Sequence, residues 1–117
     1  MLNELIARVF RSRNLTHLQH WETDSYAEHV ALGDFYEAVI GQVDKLVEAH
    51  QATFGRIGGV KLLPAATGDV LKVLQDDAVW IAKNRSKIAG DVLALESIVD
   101  ELTALYLGTI YKLKFLK

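Results

Sequence analysis

Apolar side chains recur at steps of three and four residues along most of this chain, and this spacing constrains the fold more than any other feature. Such spacing places apolar side chains on one face of an α-helix. In the first segment the pattern runs from Leu2 to about Trp21 and predicts the first helix. Its apolar members are Leu2, Leu5, Ile6, Val9, Phe10, Leu18 and Trp21.

A short polar break separates this helix from the next one. Asp24 or Ser25 can accept the free amide hydrogens of a new helix, and Glu28 is spaced from Ser25 as in a capping box. The second helix is therefore predicted to run from near Tyr26 to Gly55. Its apolar stripe comprises Leu32, Phe35, Tyr36, Val39, Ile40, Val43, Leu46, Val47 and Phe54.

A glycine-rich segment followed by Pro64 predicts a long connection after the second helix. Two more helices are predicted beyond it, from about Asp69 to Asn84 and from about Gly90 to Phe115. Two helical hairpins joined by one longer connection describe an all-α four-helix bundle. A chain of 117 residues has room for one hydrophobic core, so residues 1–117 are expected to form a single domain.

Composition excludes several classes of function. The chain has no cysteine, so it has no disulfide, cysteine nucleophile or thiolate metal site. Its net charge of -2 disfavours strong nucleic-acid binding, and charges interrupt every apolar run before it could span a membrane. The start of the sequence lacks the layout of a signal peptide, which leads us to expect a cytoplasmic protein.

Histidines and acids are unevenly placed along the chain. All four histidines lie in the first half, and helical geometry puts His29, Asp44 and Glu48 on one flank of the second helix with Gly33 and Gly41. Taken alone, the acid pair is typical of a solvated helix face. His29 alone would similarly be a histidine at the edge of the core.

Other polar residues favour structural interpretations. His50 falls in the apolar stripe and is expected to be a hydrogen-bonded core or interface histidine. Glu96 and Asp100 are expected on a solvated face of the last helix. No Glu-x-x-His sequence occurs, which argues against a di-iron centre inside one bundle.

The histidine and acid pattern resembles that of the Dps-type mini-ferritins. In that family a His-Trp pair ends the first helix, a second histidine opens the next, and an acid pair follows fifteen and nineteen residues later; here these are His20-Trp21, His29, Asp44 and Glu48. The resemblance covers about residues 2–55 and extends more weakly to 98–102. It implies a ferritin-like four-helix bundle that binds iron between subunits and oxidises Fe²⁺ with dioxygen or peroxide.

The resemblance also implies a role for each residue. His20 and His29 would be nitrogen ligands, Asp44 a bridging carboxylate and Glu48 a second carboxylate, with Trp21 packed beside the site. The chain departs from the family pattern in two ways. Gly33 stands where the family has an aspartate. The loop between the two histidines is three residues shorter, and the family's short helix between helices two and three has little room between Gly59 and Asp69. His17, one turn before His20, is the residue available as a substitute ligand.

Distance along the second helix shows how such a site would be assembled. His29 and Asp44 are fifteen residues apart, about 22 Å along a helix, whereas a metal ion binds its ligands at about 2 Å. An antiparallel two-fold pairing about a point near Ala38 would bring His29 of one chain beside Asp44 and Glu48 of another. The expected state is a homodimer at least, and a shell of twelve chains remains open. Imidazole and carboxylate ligands suit iron, zinc or manganese.

Two functional hypotheses follow. The first is a mini-ferritin-like iron-binding protein that takes part in iron storage or detoxification, with ferroxidase activity if the site is complete. The second is a metal-free helical dimerisation or scaffold module that has lost the ferroxidase site. A DNA-binding Dps relative ranks last because no basic arm precedes the first helix.

Overall fold

A computed structural model describes all 117 residues, and all of its regular secondary structure is helical. The prediction of an all-α protein is confirmed. No helix combines the length and the apolar character that a membrane span requires. The helices are α1 (Leu2–Glu22), α2 (Tyr26–Phe54), α3 (Val70–Lys83), α4 (Arg85–Ala89) and α5 (Leu93–Phe115).

The turn between α1 and α2 is built from local side-chain hydrogen bonds. The Ser25 hydroxyl accepts from the Glu28 amide at 3.2 Å, which confirms Ser25 as the N-cap. The other half of the predicted capping box does not form. The Ser25 amide donates to the Thr23 hydroxyl, and the Glu28 carboxylate accepts from the Gln19 side chain instead.

The corner between α3 and α5 differs from the sequence prediction. The last predicted helix is present as α5, but it begins at Leu93 rather than near Gly90, and an additional short helix, α4, precedes it and ends at Ala89. Gly90 and Asp91 have φ values of 58° and 62°, in the left-handed region. Two consecutive residues in that conformation reverse the chain, so a right-handed helix cannot pass through them.

The four long helices surround one core in a cyclic order. Helix α1 packs on α2, α2 on α5, α5 on α3 and α3 on α1, so α2 and α3 lie diagonally opposite each other. One groove is lined by Gln19, Glu28, Asp69 and Leu113, so the starts of α2 and α3 lie at the same end of the molecule as the ends of α1 and α5. Helices α2 and α3 therefore run in the same direction, and residues 55–69 must return along the molecule to join them.

The connection of residues 55–69 runs beside the outer side of α1. Leu62 and Leu63 line a small cavity of about 160 Å³ together with Phe10 and Leu18. This position explains why Phe10 and Leu18, predicted for the core face of α1, remain 38% and 52% exposed. They contact the connection at the surface rather than the core.

The core is mainly apolar, and Asp77 is its one completely buried charged residue. Phe35 of α2 and Tyr106 of α5 meet edge to face at its centre, with ring centroids 5.0 Å apart. Asp77 of α3 is completely buried, and it accepts from Arg8 at 2.9 Å and from the Ser12 hydroxyl. The main apolar members are Leu5, Val9, Val39, Leu46, Leu74, Ile81, Ile88, Val99 and Leu102.

Glu96 also differs from its predicted position. It was expected on a solvated face, but it is 8% exposed and pairs with Arg85 at 2.5 Å. Arg85 also donates two hydrogen bonds to Asp100, at 2.6 and 2.8 Å. Asp100 is exposed, as predicted. Arg85, which pairs with the buried Glu96, lies on α4, and the sequence pattern did not predict this helix.

Candidate metal-binding residues

His20 and His29 meet at the corner between α1 and α2. The short turn between the two helices brings the rings into a stack, with centroids 3.7 Å apart and planes 15° from parallel. The His20 Nδ1 lies 2.5 Å from the His29 carbonyl oxygen, and the His29 Nδ1 lies 2.7 Å from the His20 carbonyl oxygen. The two residues therefore fix each other through reciprocal contacts to the backbone.

These contacts define which ring nitrogen carries the hydrogen. A carbonyl oxygen only accepts, so Nδ1 must be the donor in both His20 and His29. In a neutral imidazole, Nε2 then keeps its lone pair. Metal-binding histidines commonly donate their other N–H to a carbonyl or carboxylate in this way, which fixes the ring orientation.

Gly33 provides the space that the His20 ring occupies. A Cβ atom at position 33 would lie 2.9 Å from Cε1 and 3.2 Å from Nδ1 of His20. An aspartate at this position, as in the mini-ferritin pattern, would therefore displace the His20 ring. Glycine at 33 and the stacked imidazole pair belong to the same local arrangement.

His17 lies beside this pair but faces a different partner. Its ring stacks on Tyr36 with centroids 3.9 Å apart and also contacts Trp21 at 4.4 Å, while the His20 ring is 6.4 Å away. Burial, followed by the charges of Arg13 and His20, lowers the pKa of His17, which favours the neutral imidazole. Trp21 contacts this histidine and remains 67% exposed.

Asp44 and Glu48 lie at the opposite end of α2. Both are exposed, and neither makes a side-chain hydrogen bond or ion pair within the chain. A single chain therefore brings His20 and His29 together but does not bring the two acids to them. No group of three or more histidine, aspartate and glutamate side chains in one copy is arranged to hold a metal ion.

The outward side of α2 is strongly acidic. Its exposed carboxylates are Asp34, Glu37, Asp44 and Glu48, while its exposed cation Lys45 is paired with Glu101 of α5 at 3.1 Å. Gly41 leaves the backbone of this side open, with no atom within 4 Å of the position that a Cβ would take. A close approach to this surface is sterically allowed, but it requires a positively charged partner.

His50 lies at the edge of the core on α2. Within one copy its Nδ1 is buried and has no hydrogen-bond partner, and a partner from a second copy stays a prediction. The ring contacts Phe54, with centroids 4.8 Å apart. Burial, and then the charge of the chain's N-terminal ammonium, lowers the pKa of His50.

Asp77 is the polar residue that the sequence analysis missed most completely. It stands three residues after Leu74 and four before Ile81, both of which are fully buried. This spacing places it within the apolar stripe of α3 and could have indicated a buried carboxylate. Its partners Arg8 and Arg11 come from a distant part of the sequence, and no local signal identifies them.

Comparison with known proteins places the chain in a family. Residues 20–113 match the model of a family of unknown function (DUF5856), and because this match covers most of the sequence, the chain belongs to that family. No curated protein and no solved structure matches the sequence.

Proposed function

We propose that this protein is a mini-ferritin-like metal-binding protein that takes up Fe²⁺ at a site formed between two copies. His20 and His29 of one copy would bind the ion together with Asp44 and Glu48 of the other. The observation that carries this proposal is the pair of reciprocal Nδ1 contacts between His20 and His29. These contacts leave an Nε2 lone pair on each imidazole, and because a lone pair lies in its ring plane, the two stacked rings would tilt apart when both bind one ion.

The course of the chain supports a ferritin-like bundle. Ferritin-like folds have four long helices with one long crossover connection. In this chain α2 and α3 are parallel and diagonally opposed, and residues 55–69 make the crossover between them. The mini-ferritin pattern has a short helix in that crossover, and this chain departs from it because its short helix α4 lies between the last two long helices.

Charge on α2 supports a cation at the paired site. Two copies of the acidic side of α2 repel each other when they pair in antiparallel orientation, and a divalent cation between them removes that repulsion. Imidazole nitrogens and carboxylate oxygens are a donor set suited to Fe²⁺, Zn²⁺ and Mn²⁺. In this proposal iron is the substrate that the protein takes up. The reaction would be the oxidation of the bound Fe²⁺ by dioxygen or peroxide. The chain's residues bind and position the ion.

Anaerobic titration with Fe²⁺, followed by sedimentation analysis, tests this function. We expect metal uptake to promote association through α2 and expect Asp44→Asn to weaken uptake about tenfold or more. Asp34→Asn is the matched control, because it removes an exposed carboxylate from the same helix but lies outside the proposed ligand set. The proposal is wrong if Fe²⁺ does not bind, or if both substitutions reduce uptake equally.

A metal-free dimerisation or scaffold module is the second candidate. It is favoured by Gly33, which occupies the position where the mini-ferritin pattern has an aspartate near the second histidine. In this case the chain would associate equally well with Fe²⁺ or with a chelator. Metal analysis of the associated protein would distinguish the two functions.

A further inference from the structure

Helix α5 carries a stripe of large exposed apolar side chains on its outward side, one at its first residue and three in its second half. Leu93, Leu107, Tyr111 and Phe115 are 79%, 54%, 54% and 65% exposed. At 100° per residue they lie within about 80° of one another around the helix. Large exposed apolar patches of this kind mark interaction surfaces in soluble proteins.

The middle of the stripe consists of small and polar side chains, and its one charged group is ion-paired. Exposed Ala104 and Gly108 lie between the large side chains, and no atom lies within 4 Å of a Cβ added at Gly108. The charge within the stripe belongs to Asp100, whose two carboxylate oxygens accept from Arg85. Another helix can therefore approach closely here without meeting an unpaired charge.

The two ends of α5 carry opposite charge. Glu96 and Asp100 in its first half share the single cation Arg85 and so keep a net negative charge, whereas Lys112 and Lys114 lie in its last turn. An antiparallel copy of the same helix would place the basic end of each beside the acidic half of the other. A parallel copy would place like charges together.

We propose that the α5 stripe is a self-association surface, on which two copies pair in antiparallel orientation about a two-fold axis at Ala104. Leu93 and Phe115 are each eleven residues from Ala104, so this axis places Leu93 of one copy opposite Phe115 of the other. The same patch is used on both partners, as a two-fold interface requires. This pairing is independent of metal and separate from the acidic side of α2.

The apolar area is suited to a dimer of this size. From typical side-chain areas, the exposed parts of Leu93, Leu107, Tyr111 and Phe115 supply roughly 450 Å², and Val79 of the adjoining groove adds about 100 Å². A standard interface uses about 800 Å² on each partner. The stripe and groove therefore supply well over half of that area, and the flanking polar residues would form the rim.

Cysteine cross-linking gives a direct test because the chain has no cysteine. In Ala104→Cys the two sulfur atoms of a dimer would meet at the axis, so we expect a disulfide-linked dimer under mild oxidation in the presence of EDTA. Ala94→Cys is the control, since residue 94 lies ten positions from the axis and its two copies would be about 30 Å apart. The proposal is overturned if Ala104→Cys stays monomeric or if both variants cross-link equally.

A second pair of variants tests the stripe without cysteine. Leu107→Asp is expected to raise the dimer dissociation constant in EDTA about tenfold or more, because each dimer loses two apolar contacts. Leu18→Asp is the control, since Leu18 on α1 is 52% exposed against 54% for Leu107. Equal effects of the two substitutions would contradict the proposal.

The state of the protein in EDTA separates this surface from the proposed metal site. A chain that is monomeric in EDTA and associates only with Fe²⁺ would overturn pairing through α5 and leave the metal function standing. A dimer in EDTA that cross-links at Ala104→Cys but takes up no Fe²⁺ would support pairing through α5 and overturn the metal function. Glu37→Cys, near the midpoint of α2, reports the metal-dependent pairing in the same assay.

Discussion

At the scale of single residues, the stacked pair of His20 and His29 depends on a glycine at position 33. Gly33 sits on α2 beneath the His20 ring, and the ring in turn contacts the backbone at His29. Any larger residue at 33 competes with the imidazole for the same volume. The geometry of a candidate ligand is therefore controlled by a residue that cannot bind a metal through its own side chain.

Gly33→Ala should disturb this pair while changing stability little. Alanine in a helix interior is favoured over glycine by about 0.5–1 kcal/mol, whereas displacing the ring loses a hydrogen bond worth about 0.5–1.5 kcal/mol. The free energy of unfolding should therefore change by less than about 1 kcal/mol. The ¹⁵N NMR signal of His20 Nδ1 should shift towards that of a solvated imidazole.

Gly41→Ala is the control for this substitution. Position 41 lies on the same helix and has open space around it, so the variant should gain about 0.5–1 kcal/mol. It should leave the His20 signal unchanged. An unaltered His20 signal in Gly33→Ala would show that the ring is not held where we describe it.

At the scale of elements, α4 anchors the last helix. Arg85 opens this short helix and reaches across to Glu96 and Asp100 on α5. Glu96 is almost fully buried, whereas Asp100 is exposed. The same guanidinium therefore makes two ion pairs whose loss should have very different costs.

Arg85→Gln should destabilise the protein by about 1–3 kcal/mol, because it leaves the buried Glu96 without its charged partner. Asp100→Asn should cost less than about 1 kcal/mol, as expected for an exposed pair. Urea denaturation at low protein concentration measures both. Adding Glu96→Gln to Arg85→Gln should recover part of the loss, and no recovery would contradict the assigned role of Glu96.

Local signals predicted much of the helical pattern. Apolar spacing located α1 and the start of α3, and the Ser25 cap located the start of α2. The corner at Gly90 was missed because two left-handed residues determine it, and apolar spacing contains no information on backbone φ. The stack of His20 on His29 was missed because it depends on how closely two helices approach. The metal role of these residues stays a prediction.

At the scale of the whole molecule, two different surfaces lie on neighbouring helices. The acidic side of α2 and the apolar side of α5 belong to helices that pack on each other, in a molecule measuring 44 × 25 × 21 Å. Pairing through both surfaces would join each copy to two others. Such a chain can build assemblies larger than a dimer, with one contact sensitive to metal and the other insensitive.

Stability should be greatest between neutral pH and about pH 10. The lowered pKa of His50 favours the neutral ring in the folded state. Its stabilising effect is therefore complete above the ordinary value of 6.5 and is lost as pH falls through the lower folded value. Burial and the charge of Asp77 raise the pKa of Tyr106, so its effect is complete below the ordinary value of 10.0 and is lost above it.

Denaturation from pH 5 to 11 measures this window. His50→Gln should reduce the slope on the acidic side of the profile, to which the lowered pKa of His17 also contributes, and leave the alkaline side unchanged. Tyr106→Phe should do the opposite, at little cost near pH 7, because the Tyr106 hydroxyl is buried without a well-formed hydrogen bond. A profile with the same slopes in both variants would contradict these assignments.

The crossover of residues 55–69 offers a practical attachment point. Its last part, around Thr67, is exposed and lies outside every helix, so neither core packing nor helical hydrogen bonding depends on its length. Doubling the length of a flexible loop costs only about 0.6 kcal/mol in closure entropy. A fluorescent or affinity module inserted there would leave the helices intact, and it would keep both chain ends free.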